Sequence, residues 1–414
     1  MSSSEFPCDA AEVVRLPSSL PAATVLLIEP FYGGSHRQLM DFLAADLGQS
    51  ALLCATPAKK WHWVARVSAL HFAQVIPEGH CFRSIFASSV LNLAELMSLR
   101  PDLAGCRKIL YFHENQLVYP AQEEKERDFQ YGYNQILSAL VADINVFNSQ
   151  FNLDSFLENI DKFLAKIPTA RPKRSVASEI RPKCRVIYFP LNLPSFRFTP
   201  KTSRLRTPDL ACKLCNMDET LLTGASTCGR NSSVLGESQI SRQQLPLHIV
   251  WPHRWEHDKN PDFFVSVLEI LRSEDIPFRL SVVGEQFSEV PDSFQHVAFA
   301  FGDCLKRLGY LPSKEEYFAV LMDADVVVST ANHEFFGAAM LEAVHFGCYP
   351  LAPRRLVYPE LYPDQYLYDP SKLSNLVDIL RIFCLNPSLV RSSRPHLDVS
   401  CFSWPALRQK FLFS

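Results

Sequence analysis

Short apolar runs alternate along this chain with longer amphipathic stretches, and this alternation constrains the fold more than any other feature. In the first half, β-branched apolar runs fall at residues 24–31, 108–113, 142–149 and 185–190. An amphipathic stretch after the first run, opened by Gly33, Gly34 and Ser35 as a candidate N-cap, fits a helix. Strands that alternate with helices indicate a parallel sheet covered by helices. The first half is therefore predicted to be a doubly wound α/β domain.

The second half repeats this pattern, with apolar runs at residues 245–252, 278–285, 324–330 and 348–352 and a helix predicted at 262–272. A stretch rich in Ser, Thr, Pro and Gly separates the halves and lacks periodicity, which is typical of a linker. The predicted organisation is a flexible leader at 1–22, a first Rossmann-like domain at 23–192, a flexible linker at 193–244, a second Rossmann-like domain at 245–398 and a terminal helix at 399–414.

Composition narrows the possible compartments and partners. The net charge is −3, which gives no overall basic field for nucleic acid. Twelve cysteines are scattered along the chain rather than gathered into a disulfide framework. The N-terminus lacks a secretory pattern, and no run reaches about 18 apolar residues. We expect a cytoplasmic protein without membrane contact, with the nucleus as a second compartment because R-P-K-R-S at 171–175 is a weak nuclear-targeting pattern.

Candidate site residues follow the predicted strands, and open α/β sheets bind ligands at the carboxyl ends of their strands. Gly33 and Gly34 follow the first run, and His113 ends the second. Arg254 and Lys259 follow the run at 245–252, where they could hold the phosphates of an anionic leaving group. Each of these residues also has a purely structural explanation. The glycines could form a tight turn, His113 could be a core histidine bonded to a loop carbonyl, and Arg254 and Lys259 could be solvated surface charges. No metal-spaced cluster lies near the cations, so we expect metal-free stabilisation of the leaving group.

Two carboxylates eight residues apart, Glu334 and Glu342, bracket Gly337 and the start of a predicted helix. The first N–H groups of a helix favour an anion such as phosphate. At a helical rise of about 1.5 Å per residue, the two carboxylates would stand roughly 12 Å apart. That span would let one carboxylate bind a sugar and the other a ribose, with a diphosphate between them. Two glutamates at this spacing also occur by chance.

The stretch that carries both glutamates, E-F-F-G-A-A-M-L-E-A-V-H-F-G-C-Y-P (334–350), resembles the signature of retaining, family-4-type glycosyltransferases. The segment 309–330 resembles what usually precedes that signature. The resemblance implies the GT-B architecture, two Rossmann-like parallel-sheet domains facing across a cleft. It implies that Glu334 contacts the sugar hydroxyls, that Glu342 contacts the ribose, and that Phe336 and Gly337 belong to the donor site. Arg254 and Lys259 would bind the diphosphate, and His113 would lie beside the reacting centre.

The N-terminal half carries I-E-P-F-Y-G-G-S-H, P-A-K-K-W-H-W and I-L-Y-F-H-E-N-Q-L-V-Y-P, which resemble the tRNA-queuosine mannosyltransferase family. This resemblance implies transfer of mannose from GDP-mannose to queuosine at the wobble position of tRNA, with anomeric retention. The acceptor would be aspartate tRNA. The enzyme would need neither a cofactor nor an obligate protein partner. Gly33 and Gly34 would let the first loop approach the sugar-phosphate region. In the commoner arrangement of this signature, a glycine follows the lysine that corresponds to Lys259. This chain lacks that glycine, but the difference removes no charged group from the donor site.

RNA contacts are predicted at two places. Lys59, Lys60, Trp61 and Trp63 interleave charge with aromatic rings, which suits stacking on single-stranded bases, although the tryptophans could equally pack on the core. Glu114 and Asn115 follow His113 and could orient it or meet the acceptor. Residues 162–213 hold 13 Lys or Arg against 2 Asp or Glu, with candidate contacts at Arg171, Lys173, Arg174, Arg181 and Lys183. Such a segment is more often merely solvated.

Other functional interpretations remain open at this stage. The chain could be a related transferase with another donor or acceptor, because neither guanine over uracil nor mannose over galactose follows from the residues. It could also be a catalytically silent RNA-binding protein, although the intact Glu334, Glu342, Arg254 and Lys259 argue against that. Cys212, Cys215 and Cys228 lack a fourth ligand at normal spacing for zinc, so we predict no metal site.

Overall fold

The computed structural model of the protein describes residues 13–15, 22–118, 128–169, 171–194, 245–285, 292–392, 395 and 397–412. The chain divides into two compact units. The first comprises Met1–Asn192, His333–Phe336 and Ser400–Ser414, and the second comprises Leu193–Asn332 and Gly337–Val399. The predicted linker lies outside the described residues except at 193–194, and so do Cys212, Cys215 and Cys228.

The first unit is built on a seven-stranded sheet in the order β1-β3-β2-β4-β5-β6-β7. Its strands are β1 (Val13–Arg15), β2 (Val25–Tyr32), β3 (Ala51–Pro57), β4 (Ser84–Ser88), β5 (Arg107–Phe112), β6 (Ile144–Phe147) and β7 (Cys184–Val186). All neighbours pair in parallel except β1, which runs antiparallel to β3. The helices of this unit include α1 (Gly34–Leu47), α2 (Trp61–Val75), α3 (Leu93–Leu99), α4 (Phe129–Val141), α5 (Gln150–Leu164) and α6 (Val176–Ile180).

The second unit is built on a six-stranded parallel sheet in the order β10-β9-β8-β11-β12-β13. Its strands are β8 (Leu247–Trp251), β9 (Phe278–Val283), β10 (Leu305–Gly309), β11 (Val326–Val328), β12 (Tyr349–Pro353) and β13 (Leu367–Tyr368). Its helices include α7 (Pro261–Ser273), α8 (Asp292–Ala300), α9 (Lys314–Asp323), α10 (Ala338–His345), α11 (Tyr358–Leu361), α12 (Leu373–Leu385) and α13 (Ser388–Ser392). Renumbered within the unit, the order is 3-2-1-4-5-6, that of the Rossmann fold.

The chain ends in α14 (Trp404–Phe411), which belongs to the first unit. The indole of Trp404 stacks on Phe42 of α1 at 5.0 Å between ring centroids, and Phe411 packs against Phe86 and Tyr111. The aromatic side chains on one face of α14 therefore pack on the first unit, which explains the amphipathic pattern of this segment. A terminal helix is thus present within the predicted segment 399–414, with narrower bounds.

Burial explains why the strands read as continuous apolar runs. Every residue of β8, β9 and β12 is buried, as expected for parallel strands with helices on both faces. In the first unit, a continuous core joins β2, β4 and β5 to α4 and α5. The predicted fold class, α/β with two parallel-sheet domains, is confirmed. No helix among the described residues is long and apolar enough to span a bilayer.

Each sheet has one place where the strand order reverses, and ligands bind preferentially outside such switch points. In the first unit the reversal lies between β2 and β4, and in the second between β8 and β11. The loops that follow β2 and β4 hold Gly33 and Ser89, and those that follow β8 and β11 hold Arg254 and Glu334. Three of the loops beside the switch points, those after β2, β8 and β11, are loops in which the sequence analysis had placed ligand-binding residues.

Candidate functional site

The glycine pair after β2 shapes the turn into α1. Helix α1 begins at Gly34, and Gly33 is its N-cap, so the prediction of Ser35 as the N-cap is wrong. Gly34 has a φ of 51°, in the left-handed region that favours glycine. A Cβ on Gly33 would lie 2.5 Å from the Cβ of Ala58. The loop can therefore approach the segment after β3 only because Gly33 has no side chain.

A buried carboxylate lies beneath this turn. Glu29 of β2 is fully buried, and its Oε1 accepts hydrogen bonds from the backbone N–H of Phe31 and the hydroxyl of Ser88, both at 2.9 Å. Its Oε2 lies 3.2 Å from Nδ1 of His36 in the first turn of α1. Glu29 therefore ties together β2, β4 and α1 at the switch point of the first sheet.

His113 follows β5 and is buried against the same cluster. Its ring stacks on the ring of His36, with 3.9 Å between centroids and 24° between planes. Asn148 donates a hydrogen bond of 2.7 Å to its backbone carbonyl. Among the described residues its Nε2 has no hydrogen-bond partner. Burial, and secondarily the charge of His36, lowers the pKa of His113 well below its usual value, so the imidazole is neutral at physiological pH.

The described residues contain one group of side chains that could be considered for a metal ion. Ligand atoms of Glu29, His36 and His113 lie within 4.8 Å of one another. An imidazole binds a metal ion in its own ring plane, at about 2.0–2.1 Å for zinc. Two rings stacked 3.9 Å apart with nearly parallel planes cannot both do so for one ion. The arrangement does not fit a shared metal unless one ring rotates.

A hydrogen-bonded path joins the end of β5 to the loop that holds Glu334, within the first unit. The Oδ1 of Asn148 accepts a bond of 2.8 Å from Asn152, whose own N–H is capped by Ser149 Oγ at 3.0 Å. The Ser149 hydroxyl donates to the carbonyl of Phe335 at 2.7 Å. The side chains that begin α5 therefore hold both the His113 backbone and the Glu334 loop.

Glu334 lies half-buried in that loop, and its Oε1 accepts from the N–H groups of Phe335 and Phe336 at 3.1 and 3.3 Å. These bonds hold the carboxylate in one orientation. The ring of Phe336 is buried among Phe189, 5.9 Å away between centroids, and Phe402 at 5.7 Å. Phe336 therefore supports the loop from an aromatic cluster.

The second unit holds the predicted cations in the loop after β8. Arg254 is exposed and lies 3.2 Å from Glu256, whereas Lys259 is only 5% exposed and pairs with Asp258 at 3.1 Å. The Thr330 hydroxyl donates to the carbonyl of Lys259 at 2.8 Å, which ties this loop to the end of β11. The two cations thus lie at the carboxyl end of β8, beside the point where the strand order of the second sheet reverses.

Gly337 is the N-cap of helix α10 and has the left-handed conformation, with a φ of 76°; no side chain caps that end. Glu342 lies one turn further on. Burial raises the pKa of its carboxyl group, against the opposing effects of Lys314 and of a hydrogen bond from Tyr317. Glu334 precedes the helix and belongs to the other unit, so helical rise is not a valid basis for the predicted spacing of roughly 12 Å between the glutamates. Helical rise applies only from Ala338 onward.

The four residues predicted at the start of α2 differ in exposure. Lys59 and Lys60 are exposed, and Trp63 is 67% exposed. Trp61 instead packs on Tyr131, 4.7 Å away between ring centroids. Packing on the core is therefore found for Trp61, whereas the stacking of Trp63 on a base stays a prediction that its exposure permits.

The other residues predicted to contact RNA fall into two groups: some are already bonded within the protein, and others are exposed. Asn115 is fully buried, and its amide donates to Asn152 at 2.9 Å and Ser155 at 3.0 Å, so it supports α5. The backbone carbonyl of Glu114 lies near Ser89 and Gln135. Lys183 donates to the carbonyls of Leu140 and Ala142 at the end of α4. Exposed side chains remain at Arg171, Lys173, Arg174 and Arg181.

Sequence reasoning missed several residues that build the site. Glu29, His36, Asn148 and Ser149 were not singled out, and neither was Tyr317 beside Glu342. A signal was present for Glu29, because a carboxylate in the middle of a buried strand needs a partner. Asn148 and Ser149 follow a predicted strand and could have been found by the same rule that selected His113.

The protein has two α/β units, each built on a mainly parallel sheet. The predicted cations follow the first strand of the second unit, and the Glu334 loop precedes α10. These features define a glycosyltransferase of the GT-B class. Sucrose-phosphate synthase from Thermosynechococcus elongatus is similar with a TM-score of 0.61, at 14% identity, covering 94% of this chain and 97% of that chain. HepE of Anabaena, solved with UDP, gives a TM-score of 0.58 at 14% identity, covering 94% and 98%. At this identity the likeness concerns the fold alone.

Sequence comparisons give the family. A profile described as glycosyl transferases group 1 matches residues 239–392, and one described as tRNA-queuosine alpha-mannosyltransferase N-terminal matches residues 24–191. The chain is 47% identical over 372 residues to the tRNA-queuosine alpha-mannosyltransferase of Drosophila melanogaster, covering 89% of each chain. The protein therefore belongs to the tRNA-queuosine alpha-mannosyltransferase family and is a hexosyltransferase.

Proposed function

We propose that the protein transfers mannose from GDP-mannose to queuosine at the wobble position of tRNA, with retention of the anomeric configuration. Aspartate tRNA is the proposed acceptor. The observation that carries the proposal is the 47% identity to the Drosophila enzyme across 89% of both chains. That relative is named for alpha-mannosyl transfer to tRNA queuosine. GDP-mannose and aspartate tRNA are our own extension of that activity.

Residues of the second unit bind the donor in this proposal. Arg254 and Lys259 hold the diphosphate, because a guanidinium can grip phosphate oxygens and a buried ammonium supplies a compact charge. The N–H groups that begin α10 at Gly337 add partial positive charge for the same anion. Glu342 accepts hydrogen bonds from the ribose hydroxyls. Charge building on the departing GDP is thereby stabilised without a metal ion.

Residues of the first unit act on the sugar. Glu334 accepts hydrogen bonds from the mannose hydroxyls, and the N–H groups of Phe335 and Phe336 keep its carboxylate in place. His113 presents a neutral imidazole, which can donate or accept one hydrogen bond at a hydroxyl of the donor or acceptor. Gly33 and Gly34 leave space for the sugar-phosphate beside the α1 turn. We assign no protein nucleophile.

The tRNA binds first through exposed cations in this proposal. Lys59 and Lys60 meet the phosphates, and the exposed indole of Trp63 stacks on a loop base. Arg171, Lys173, Arg174 and Arg181 extend the basic surface on the segment around α6. Lys183 is already bonded to two carbonyls, and Trp61 already packs on Tyr131, so we expect smaller contributions from both.

The protein works without a bound metal or cofactor in this proposal, and it acts in the cytoplasm with a second pool in the nucleus. Transfer in the presence of EDTA should equal transfer with added magnesium, once the folding of the tRNA is controlled separately. A fluorescently tagged chain should be found in both compartments. Loss of activity in EDTA, restored by one added metal, would contradict the first statement.

The test is incorporation of labelled sugar by the purified protein. Queuosine-containing tRNA is offered GDP-mannose, GDP-fucose, UDP-glucose or UDP-galactose, and the same tRNA without queuosine serves as the control. We expect label only with GDP-mannose and only on queuosine-containing tRNA. Label from another donor would reassign the sugar nucleotide. Binding of tRNA without transfer from any donor would favour an RNA-binding protein and overturn the proposal.

A further inference from the structure

The buried carboxylate of Glu29 needs an explanation that the proposed reaction does not yet supply. It lies in β2, a strand of the first sheet, and is fully buried among apolar neighbours. Burial of a charged group is costly unless the group is paired and hydrogen-bonded. An apolar residue at this position would fill the strand without that cost. The carboxylate must therefore do something that an apolar side chain cannot do.

The bonds around Glu29 define its orientation. Oε1 receives two hydrogen bonds, from Phe31 N–H and Ser88 Oγ, so Oε2 is directed toward His36. This contact is at ion-pair distance but does not have the geometry of a hydrogen bond, so it acts on the His36 ring electrostatically. The carboxylate thus favours one orientation of the His36 ring, with Nδ1 facing Oε2.

The fixed ring of His36 in turn bears on His113. The two imidazoles stack at 3.9 Å between centroids, and Tyr111 packs edge-on against His113 at 4.8 Å. The Asn148 amide holds the His113 carbonyl. Nε2 of His113 is buried and has no hydrogen-bond partner among the described residues. The orientation of the His113 ring therefore depends on a chain of contacts that begins at Glu29.

We propose that Glu29 and His36 are positioning residues for His113: the carboxylate holds the His36 ring by its contact with Nδ1, and that ring holds the His113 imidazole by stacking in the orientation that meets the reacting hydroxyl. The inference rests on the proposed role of His113 at the sugar. Neither positioning residue touches substrate. Removing the carboxylate frees the His36 ring, which lets His113 turn and slows transfer without weakening donor binding.

The test compares Glu29→Gln with wild type. The amide matches the carboxylate in shape and can still accept from Ser88 and Phe31, so the strand should fold. We expect kcat to fall about tenfold or more, and by no more than the roughly 10²- to 10⁴-fold that a positioned acid or base can supply. The KM for the donor should stay within about twofold. Glu29→Asp should retain more activity than Glu29→Gln if charge on the His36 ring is what matters.

A matched control is available in the second unit. There Asp323 pairs with Nδ1 of His248 at 2.9 Å, the same kind of carboxylate–imidazole contact. Asp323→Asn should leave kcat within about twofold of wild type. Melting temperatures of all variants, and the Kd for GDP, show whether each protein is folded and binds the nucleotide. A loss of kcat as large in Asp323→Asn as in Glu29→Gln would reduce the effect to general destabilisation and overturn the proposal.

A double-mutant cycle with His113→Ala tests whether Glu29 acts through His113. Glu29→Gln should slow the wild type but have little further effect when His113 is already alanine. Equal loss in both backgrounds, or unchanged kcat in a folded Glu29→Gln protein, would overturn the inference. One equivalent of tightly bound metal in the wild type, lost in Glu29→Gln, would also overturn it, because the three side chains would then be ligands.

Nitrogen-15 NMR of labelled histidines gives a readout that does not require transfer. Glu29→Gln should shift the nitrogen resonances of His36 and of His113, because the charge beside the first ring is lost and the stacked ring moves with it. Unchanged resonances of both rings in Glu29→Gln would overturn the positioning role. If the wild type fails to transfer mannose, the proposed function fails, while these resonances still decide whether Glu29 orders the histidine pair.

Discussion

Glu342 combines a binding role with a cost in stability. Burial raises the pKa of its carboxyl group. A carboxyl group whose pKa is higher in the folded than in the unfolded chain loses stability as the pH rises from below its unfolded pKa through its folded pKa. At neutral pH, above the unfolded pKa of the group, Glu342 therefore destabilises the empty protein. The ribose hydroxyls would compensate the charge only when donor is bound.

The substitution Glu342→Gln should separate these two effects. The neutral amide removes the buried charge, so the free energy of unfolding at pH 7 should rise, and the gain should vanish below about pH 4, where an ordinary carboxyl group is protonated. Loss of charged hydrogen bonds costs about 1.5–3 kcal/mol, so the Kd for the donor should rise about 10- to 100-fold. Urea unfolding across pH and calorimetry with GDP-mannose measure both. A protein that is less stable and binds donor normally would contradict this role.

Single residues also show where sequence reasoning stops. Glu334 and Arg254 could be selected from the sequence because each follows a strand, and Glu342 because it lies in the helix that follows the Glu334 loop. Glu29 and Asn148 act through partners distant in sequence, such as Ser88 for Glu29 and His113 for Asn148. Such pairings depend on sheet order, which one sequence does not give. The sequence could therefore offer the candidate positions, whereas the contacts between them could not be predicted.

At the scale of elements, helix α5 links the two parts of the first unit's site through its N-cap. Ser149 Oγ accepts from Asn152 N–H and donates to the buried carbonyl of Phe335. Its removal should cost about 1 kcal/mol for the cap and about 1–3 kcal/mol for the carbonyl left unsatisfied. Ser149→Ala should therefore be destabilised by about 2–4 kcal/mol in urea, and kcat should fall because the Glu334 loop loses its tether.

Ser149→Thr is the control for that prediction, because threonine retains the hydroxyl and also serves as an N-cap. It should remain close to the wild type in stability and in kcat. If Ser149→Ala were as stable and as active as Ser149→Thr, the cap would not hold the Glu334 loop.

Helix α2 offers a matched pair of tryptophans for the RNA contact. Trp63→Ala should leave stability nearly unchanged but weaken tRNA binding, because stacking of one base is worth about 1–3 kcal/mol. Trp61→Ala should do the reverse and lower the free energy of unfolding by about 2 kcal/mol, less than the 3–5 kcal/mol of a fully buried aromatic residue. Filter binding and urea unfolding measure the two effects. Equal tRNA affinity in Trp63→Ala and the wild type would place the RNA elsewhere.

The strands illustrate what local patterns can and cannot predict. Eight apolar runs were predicted as strands, and each overlaps one in the structure. The strands β3, β4, β10 and β13 were not predicted. Strand β10 is L-K-R-L-G at the edge of its sheet, where polar side chains meet solvent, so its sequence lacks an apolar run. Strand β1, inside the predicted leader, is defined by pairing with β3 and not by its own composition.

For the whole molecule, two sheets of related design place their ligand-binding loops at their own switch points. The second sheet has the Rossmann order, whereas the first follows the order 2-1-3-4-5-6 with an added antiparallel edge strand. The alternation of strands and helices predicted the α/β class and the count of two sheets. It could not predict the different strand orders, because order depends on which edge each crossover takes.

The central claim is that this molecule mannosylates queuosine in tRNA. The most direct measurement is the mass and fragmentation of the wobble nucleoside after purified protein, GDP-mannose and queuosine-containing aspartate tRNA have been incubated together. The account predicts queuosine carrying one hexose, released as mannose on acid hydrolysis, and unchanged nucleoside with tRNA that lacks queuosine. An unmodified queuosine, under conditions where the protein is folded and binds GDP-mannose, would contradict it.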